Sequence, residues 1–362
     1  MNILRDILRR IGEKFSLPGE LIAYEKITRG NINDTYQVIY RQCNGENKYY
    51  VFQKVNTYVF KNPRQIMKNI DRVTNHIAQK RPGKENLYFY RTEEKKNFYE
   101  DPDDGFWRIM NYIESVTFDF CDDLSVIEAT GVAFGEFQMQ LSDLDGSVLY
   151  ETIPDFHHTK KRMDQFFSHV KEDPLGRAVD IQEEIETLFS MREKASSLSV
   201  RFDNGEFPVR VTHNDTKANN VLFDSTTLAP VVIIDLDTVM PGMVMYDFGD
   251  AVRFLANTPE GEDGSTARFD VAKFAAFAKG FLSMTREALT MEEINHLVLG
   301  TFSVTAELSA RFLDDYITGD SYFKIDYPTQ NLERGRRQLQ LAKDIEEKSE
   351  ELQNIILTIL SE

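Results

Sequence analysis

The chain has 362 residues, with 59 acidic against 42 basic side chains and a formal net charge of -17. Its 41% apolar and 12% aromatic content supplies a core and excludes wholesale disorder, while 19 Gly and 11 Pro spread through the chain exclude collagen-like and low-complexity classes. The acidity, with no long run of Lys or Arg, argues against nucleic-acid and anionic-membrane partners, and the length suggests two domains or one bilobal unit.

Residues 1–15 place Ile3, Leu4, Ile7, Leu8 and Ile11 on one helical face, with Arg5, Asp6, Arg9 and Arg10 between them. Interior charges of that kind speak against a signal peptide, so an amphipathic helix packed on the domain is expected. Segments 34–40 and 48–53 are rich in aromatic and β-branched residues, and Asn44-Gly45 between them signals a turn, so the pair reads as a hairpin. Cys43 and Cys121 lie far apart without metal spacing, which fits a reducing cytosol rather than a disulfide framework or a zinc site. A helix is expected over 63–78, from Ile66, Ile70, Val73 and Ile77, with two more strands at 87–91 and 106–112. Residues 1-112 thus read as a small sheet carrying a helix, and 113-362 as a mainly helical unit.

Beyond Glu114 apolar residues recur at helical spacing over 126–141, 181–198, 271–282 and 292–316. Residues 331–360 read as one long helix, expected to pack on its own domain rather than on a coiled-coil partner. A monomer and a cytoplasmic location are expected, and no apolar stretch approaches the ~18 residues a membrane helix needs.

The helical texture breaks between residues 209 and 250. A short apolar strand ends in His213, a polar loop carries Asp215, Lys217 and Asn220, and a second apolar strand follows. The buried run Val231-Val232-Ile233-Ile234 then delivers Asp235 at its exit, with Asp237 close behind. The spacing H-x-D-x-x-x-x-N, followed by a strand-end Asp, is that of phosphoryl-transfer enzymes. Such chemistry needs a hard cation held by oxygens to bridge phosphates, and one carboxylate kept off the metal to orient the attacking hydroxyl. Asp215 is the expected base, with Lys217 near the γ-phosphate and His213 in the catalytic group chiefly as a brace of the loop; Asn220 and Asp235 are the expected metal ligands, with Asp237 assisting them. Asp247-Phe248-Gly249 spells the protein-kinase metal motif, but no apolar strand precedes it. Asp247 is expected to cap a helix or brace the catalytic loop.

These runs, together with Gly30-Asn31-Ile32-Asn33-Asp34-Thr35-Tyr36, Phe134-Gly135-Glu136-Phe137-Gln138 and the Arg311–Phe323 stretch, resemble the aminoglycoside phosphotransferase and choline kinase superfamily, and within it the bacterial N-acetylhexosamine 1-kinases. The resemblance implies an α+β, bilobal protein-kinase-like fold, with a small antiparallel-sheet N-lobe and a larger, mainly helical C-lobe. It implies an ATP- and Mg2+-dependent kinase that phosphorylates the anomeric hydroxyl of N-acetylhexosamines. Gly30, Asn31 and Asn33 would cover the phosphates, and the hinge at 110–114, with Met110 and Tyr112, would meet adenine. Glu307, Arg311, Asp315 and Tyr322 would wall the acceptor pocket. The sequence departs from the superfamily at the third strand, where Gln53 stands at the place of the usual Lys or Arg, and Lys54 faces the other way. Either Gln53 binds phosphate, or the strand is bulged, or another cation serves. Two other readings stand beside this one: a kinase of another hexose, amino alcohol or aminoglycoside, and a nucleotide-binding module without turnover.

Overall fold

The computed structural model describes residues 3–28, 32–260 and 266–362. The chain begins with helix α1 (Ile3–Lys14), followed by strands β1 (Glu20–Ile27), β2 (Asp34–Arg41) and β3 (Asn47–Val55), helix α2 (Pro63–Lys80), and strands β4 (Tyr99–Asp101) and β5 (Gly105–Asn111). The five strands form an antiparallel sheet in the order β1-β2-β3-β5-β4. Alternation along the strands sorts their side chains. Tyr36, Val38, Tyr50, Phe52, Trp107 and Ile109 form one buried cluster with Leu8 and Ile11 of α1. The alternate positions, Val55 and Phe106 among them, join the core that α2 shares with the helical half.

The rest of the chain is α3 (Leu124–Gln140), α4 (Thr159–Glu172), α5 (Gln182–Asp203), β6 (Arg210–Thr212), β7 (Val221–Phe223), β8 (Pro230–Ile233), β9 (Met240–Gly242), α6 (Val244–Leu255), β10 (Asn257–Glu260), β11 (Thr266–Phe269), α7 (Val271–Thr285), α8 (Met291–Asn295), α9 (Leu297–Thr318), α10 (Gln330–Glu347) and α11 (Ser349–Ser361). The result is an α+β fold with an antiparallel sheet followed by a larger helical body. Asn69, buried on α2, ties the two together: its amide donates to the carbonyls of Tyr150 (2.8 Å) and Val239 (3.0 Å).

Several segments depart from the periodicity reading. β1 and β4 carry no signal in the sequence, because β1 is an edge strand with only Leu21 buried and β4 is three residues long. β4 takes the first half of the outer edge of β5, so segment 87–91 bridges it only at Phe89↔Met110 and forms no strand. The expected helix over 331–360 is two helices that meet at Lys348, whose ammonium donates to Phe269 O while the neighbouring Asp344 accepts Phe269 N–H. The expected helix over 292–316 likewise breaks at His296. Helix α4 was not foreseen.

In the helical body, Phe248 is fully buried against the rings of Phe274, Phe277 and Phe281. Helices α3 and α7 cross very closely, and a Cβ at Gly280 would lie 2.0 Å from Glu128 O. Gly280→Ala must push the two helices apart, so a loss of about 1–3 kcal/mol is expected in a denaturant melt. An unchanged midpoint would mean that the crossing is looser than described.

Candidate active site

The site is built on loops that short strands aim at one place. β6 pairs with β9, and β7 with β8. His213 follows β6, Asn220 precedes β7 and Asp235 follows β8. A hydrogen bond from Ile234 N–H to Asn220 O (2.9 Å) keeps the exit of β8 beside the start of β7.

The loop between β6 and β7 is irregular and largely buried, so its backbone donors need built-in acceptors. Helix α6 provides them. Asp247 accepts the N–H groups of His213 (2.7 Å) and Asn214 (2.8 Å), and the amide of Gln138 (2.8 Å). Asp250 accepts Thr216 N–H (3.0 Å) and pairs with Arg253. Burial pushes the Asp247 carboxyl up. It would do the same to Asp250, but Arg253 and His157 overcome it and hold that group down at about 2. Asp247 therefore braces the catalytic loop, and it lies in the first turn of α6 rather than at its cap. Gly249 completes the motif structurally, since a Cβ there would meet the Gly300 backbone of α9 at 2.7 Å.

His213 is fully buried, edge-on to Phe134 and Phe137. Its Nε2 faces Ile234 O (3.0 Å) and its Nδ1 faces Asp215 N–H (3.3 Å). Both ring nitrogens are engaged by backbone, so His213 sits as a brace of the loop and not as a proton carrier.

Asp215 lies between two partners. Lys217 Nζ contacts Oδ1 at 2.6 Å, while Asn220 Nδ2 donates to Asp215 O (2.8 Å) and more loosely to Oδ2 (3.4 Å). Burial disfavours the Lys217 charge, but the Asp215 carboxylate more than offsets this and raises the lysine. Because the amide nitrogen of Asn220 is turned to Asp215, its oxygen is left as a hard donor.

Asp235 sits in the left-handed region (φ 60°), a strained place for a residue with a side chain. Its carboxylate has surface open to solvent but is otherwise ringed by protein. Desolvation, then the carboxylates of Asp237 and Asp215, raise it to about 7, against the opposing charges of Arg108 and Lys217. Such crowding of acids is what a bound cation relieves. Among the described residues no group of three or more His, Cys, Asp or Glu is placed to hold a metal by itself. One carboxylate and one amide oxygen fit an ion that takes its other ligands from phosphates and water, as Mg2+ does.

Asp237 was expected in the metal group. Instead its oxygens serve the N-terminal sheet: Oδ1 pairs with Arg108 Nη1 and Oδ2 accepts Asn33 Nδ2 (2.7 Å). Gln53 was expected at the phosphates. Its Nε2 donates to Thr35 Oγ1 (3.0 Å), and its Oε1 accepts Arg108 Nε (2.8 Å) and Nη2 (2.6 Å). Gly30 and Asn31 lie outside the described residues. Met110 is within β5, opposite Val51 and bridged to Phe89, so the chain leaves the sheet only at Tyr112.

The four residues expected to wall an acceptor pocket have different surroundings. Glu307 is buried and accepts His157 Nδ1 (3.1 Å) and Thr159 Oγ1 (2.7 Å), with Arg311 at 3.7 Å. Burial alone would raise its carboxyl, but the hydrogen bond and charge of His157 hold it below the ordinary range. His157 in turn faces Asn214 O (3.1 Å), linking α9 to the catalytic loop. Asp315 spends its oxygens within the chain: it accepts the N–H groups of Ser321, Tyr322 and Phe323 and the amide of Asn331. Arg311 packs against the rings of Phe156, Tyr322 and Phe323, and its Nη2 reaches Tyr322 Oη (3.3 Å). Arg108 and His157 were missed by the sequence reading. One is a lone charge in a strand of apolar neighbours and the other sits in a loop, and neither position carries a spacing signal.

The geometry agrees with comparisons to known proteins. A family model described as "Phosphotransferase enzyme family" matches residues 23–285. An aminoglycoside phosphotransferase from Alicyclobacillus acidocaldarius is similar over 97% of this chain and 95% of its own, at 12% identity and a TM-score of 0.59. A choline kinase from Cryptosporidium parvum is similar over 99% of both chains, at 14% identity and a TM-score of 0.57. A spectinomycin phosphotransferase, solved with ADP and spectinomycin, is similar over 98% of both, at 14% identity and a TM-score of 0.58. At these identities the likeness establishes the bilobal kinase-like fold. The family match establishes an ATP-dependent phosphotransferase with a small-molecule acceptor. Since the matched span runs from β1 through the catalytic loop to α7, the chain belongs to the phosphotransferase enzyme family.

Proposed function

We propose that the chain transfers the γ-phosphoryl group of ATP to the anomeric hydroxyl of an N-acetylhexosamine. The observation that carries the reading is Asp215, bounded by Lys217 and Asn220 and sharing its electrostatic field with Asp235. In this reading residues 1-112 are the nucleotide-covering lobe, 113-362 the catalytic lobe, and the stretch from Tyr112 onward the hinge that meets adenine. Asn220 and Asp235 would hold Mg2+, which when bound neutralises charge on the phosphates.

The chain's own residues account for the rest. Lys217 fixes one oxygen of Asp215, and the second is directed at the acceptor hydroxyl. As the acceptor oxygen bonds to the γ-phosphorus, the bond from that phosphorus to the β–γ bridging oxygen breaks and ADP leaves, and the hydroxyl proton passes to Asp215. An anomeric hydroxyl is more acidic than an ordinary alcohol, so Asp215 acts chiefly by orientation, with the proton moving late. The brace from Asp247 and Asp250 keeps the loop rigid through this step.

The acceptor side supports a neutral sugar rather than a cation. A cationic acceptor needs unspent carboxylates, yet Glu307 and Asp315 give their oxygens to donors within the chain. What remains is Arg311 among the rings of Phe156, Tyr322 and Phe323, a wall suited to stacking a sugar and donating to its hydroxyl and acetamide oxygens. ADP release measured over N-acetylhexosamines, simple hexoses, amino alcohols and aminoglycosides tests the reading, with the product identified by phosphorus NMR. A sugar 1-phosphate from an N-acetylhexosamine is expected. Turnover confined to amino alcohols or aminoglycosides would replace the acceptor, and tight ATP binding with no turnover would point to a binding module.

Asp215→Ala is expected to lower kcat by roughly 10²–10⁴-fold and leave ATP affinity near that of the parent. Equal losses in both would misassign the base. Asp235→Asn is expected to raise the Mg2+ concentration needed for half-maximal rate. Asp247→Asn should instead lower the melting temperature and kcat with the Mg2+ requirement unmoved, and the opposite pattern would exchange the two roles. Arg311→Ala should raise the KM for the sugar more than it changes the KM for ATP, and unaltered sugar kinetics would remove it from the pocket.

A further inference from the structure

The kinase reading leaves a gap in charge. A triphosphate must lie beside Asp215, Asp235 and Asp237 in a chain of net charge -17, and the third strand offers it only the neutral Gln53. We propose that Arg108, presented by β5, is the side chain that holds the α- and β-phosphates, with Gln53 as its cradle and the Asp237 carboxylate as a stand-in that the phosphate oxygens replace. This rests on the kinase reading and deepens it.

Position comes first. The antiparallel register sets Gln53 opposite Arg108 and Lys54 opposite Trp107. Gln53 and Arg108 therefore project from one face of the sheet and Lys54 from the other. The missing third-strand cation has moved sideways by one strand, about 4.8 Å, and keeps the correct face. That face looks toward the catalytic lobe, because Arg108 reaches Asp237 immediately beyond β8.

The way the guanidinium is held comes second. Gln53 Oε1 accepts both Nε–H and one Nη2–H, which fixes the plane of the fork. Nη1 is then aimed at Asp237 Oδ1, and both partners are only 2% exposed. An arginine fork suits carboxylate and phosphate oxygens alike, so one anion can take the place of the other. A Gln in place of the usual Lys follows directly: a lysine at position 53 would face Arg108 and repel it, whereas an amide oxygen accepts from it.

Charge comes third. Arg108 pairs with Asp237, two residues beyond Asp235, so the guanidinium lies close to the proposed metal site. As a mere strut, a buried Arg–Asp pair is a poor choice, since an apolar pair of similar volume is often as stable or more so. Asn33, at the head of β2, grips the other oxygen of Asp237 (2.7 Å) and accepts Asn56 N–H (2.9 Å). The carboxylate thus stays anchored when the arginine turns to phosphate.

Calorimetric titration with ADP and with adenosine, in EDTA, tests this without any turnover. Arg108→Met is expected to weaken ADP roughly tenfold or more and leave adenosine unchanged, with Arg108→Lys recovering part of the loss. Asp237→Asn, which removes the competing anion, should bind ADP at least as tightly as the parent. If Arg108→Met does not fold, the double variant Arg108→Met/Asp237→Asn removes both buried charges together and should show the same selective loss of ADP. A folded Arg108 variant with parental ADP affinity, or one that loses ADP and adenosine equally, overturns the assignment while leaving the kinase reading in place. A parent chain that binds neither ADP nor adenosine overturns both.

Discussion

The arrangement depends on two carboxylates of α6 that satisfy a buried, irregular backbone. Asp247 and Asp250 accept the N–H groups of His213, Asn214 and Thr216, three donors that no helix or sheet ladder takes up. Without such acceptors the loop would leave unpaired polar groups in the interior, at about 1–3 kcal/mol for each. With them it can adopt the conformation that presents Asp215 and Asn220, including the left-handed backbone at Asn214. Contacts that serve the same loop oppose the cost of burying the two acids, outweighing it at Asp250 and offsetting part of it at Asp247. His213 and the loop amides face Asp247, and Arg253 faces Asp250.

From that rigid loop the site extends in two directions. Toward the N-terminal sheet, Asp237 is the meeting point, touched by Arg108 from β5 and Asn33 from the head of β2. Asn69 makes a second tie from α2 to Val239, close by in the chain. The sheet is thus joined to the segment after β8 by polar contacts rather than by an apolar seam. Toward α9, a chain of contacts runs from Glu307 through His157 to Asn214 O, on the residue next to Asp215. Contacts from the N-terminal sheet and from α9 therefore converge on one short stretch of backbone.

The motif Asp247-Phe248-Gly249 illustrates how one string of letters can serve another end. Asp247 clamps the loop, Phe248 anchors α6 in the aromatic core on α7, and Gly249 admits α9 at van der Waals contact. The residues that fit a metal come from Asn220 and the exit of β8 instead, where short strands aim their ends at the cleft.

What the sequence by itself determined is the local chemistry. The apolar run before Asp235, the spacing of His213, Asp215 and Asn220, and the helical periods of α2, α3, α5 and α7 are all short-range patterns, and short-range patterns survive in a one-dimensional reading. β1 and β4 escaped it because one buries a single side chain and the other has three residues. The break at Lys348 escaped it because its cause is Phe269, far away in the chain. The tertiary structure alone decided which charges share a site. Gln53 and Arg108 are 55 positions apart and Arg108 and Asp237 are 129 apart, so their meeting depends on strand register and on the docking of two lobes. The physical reason is that electrostatic and hydrogen-bond partners are chosen by distance in space, whereas sequence patterns record only distance along the chain.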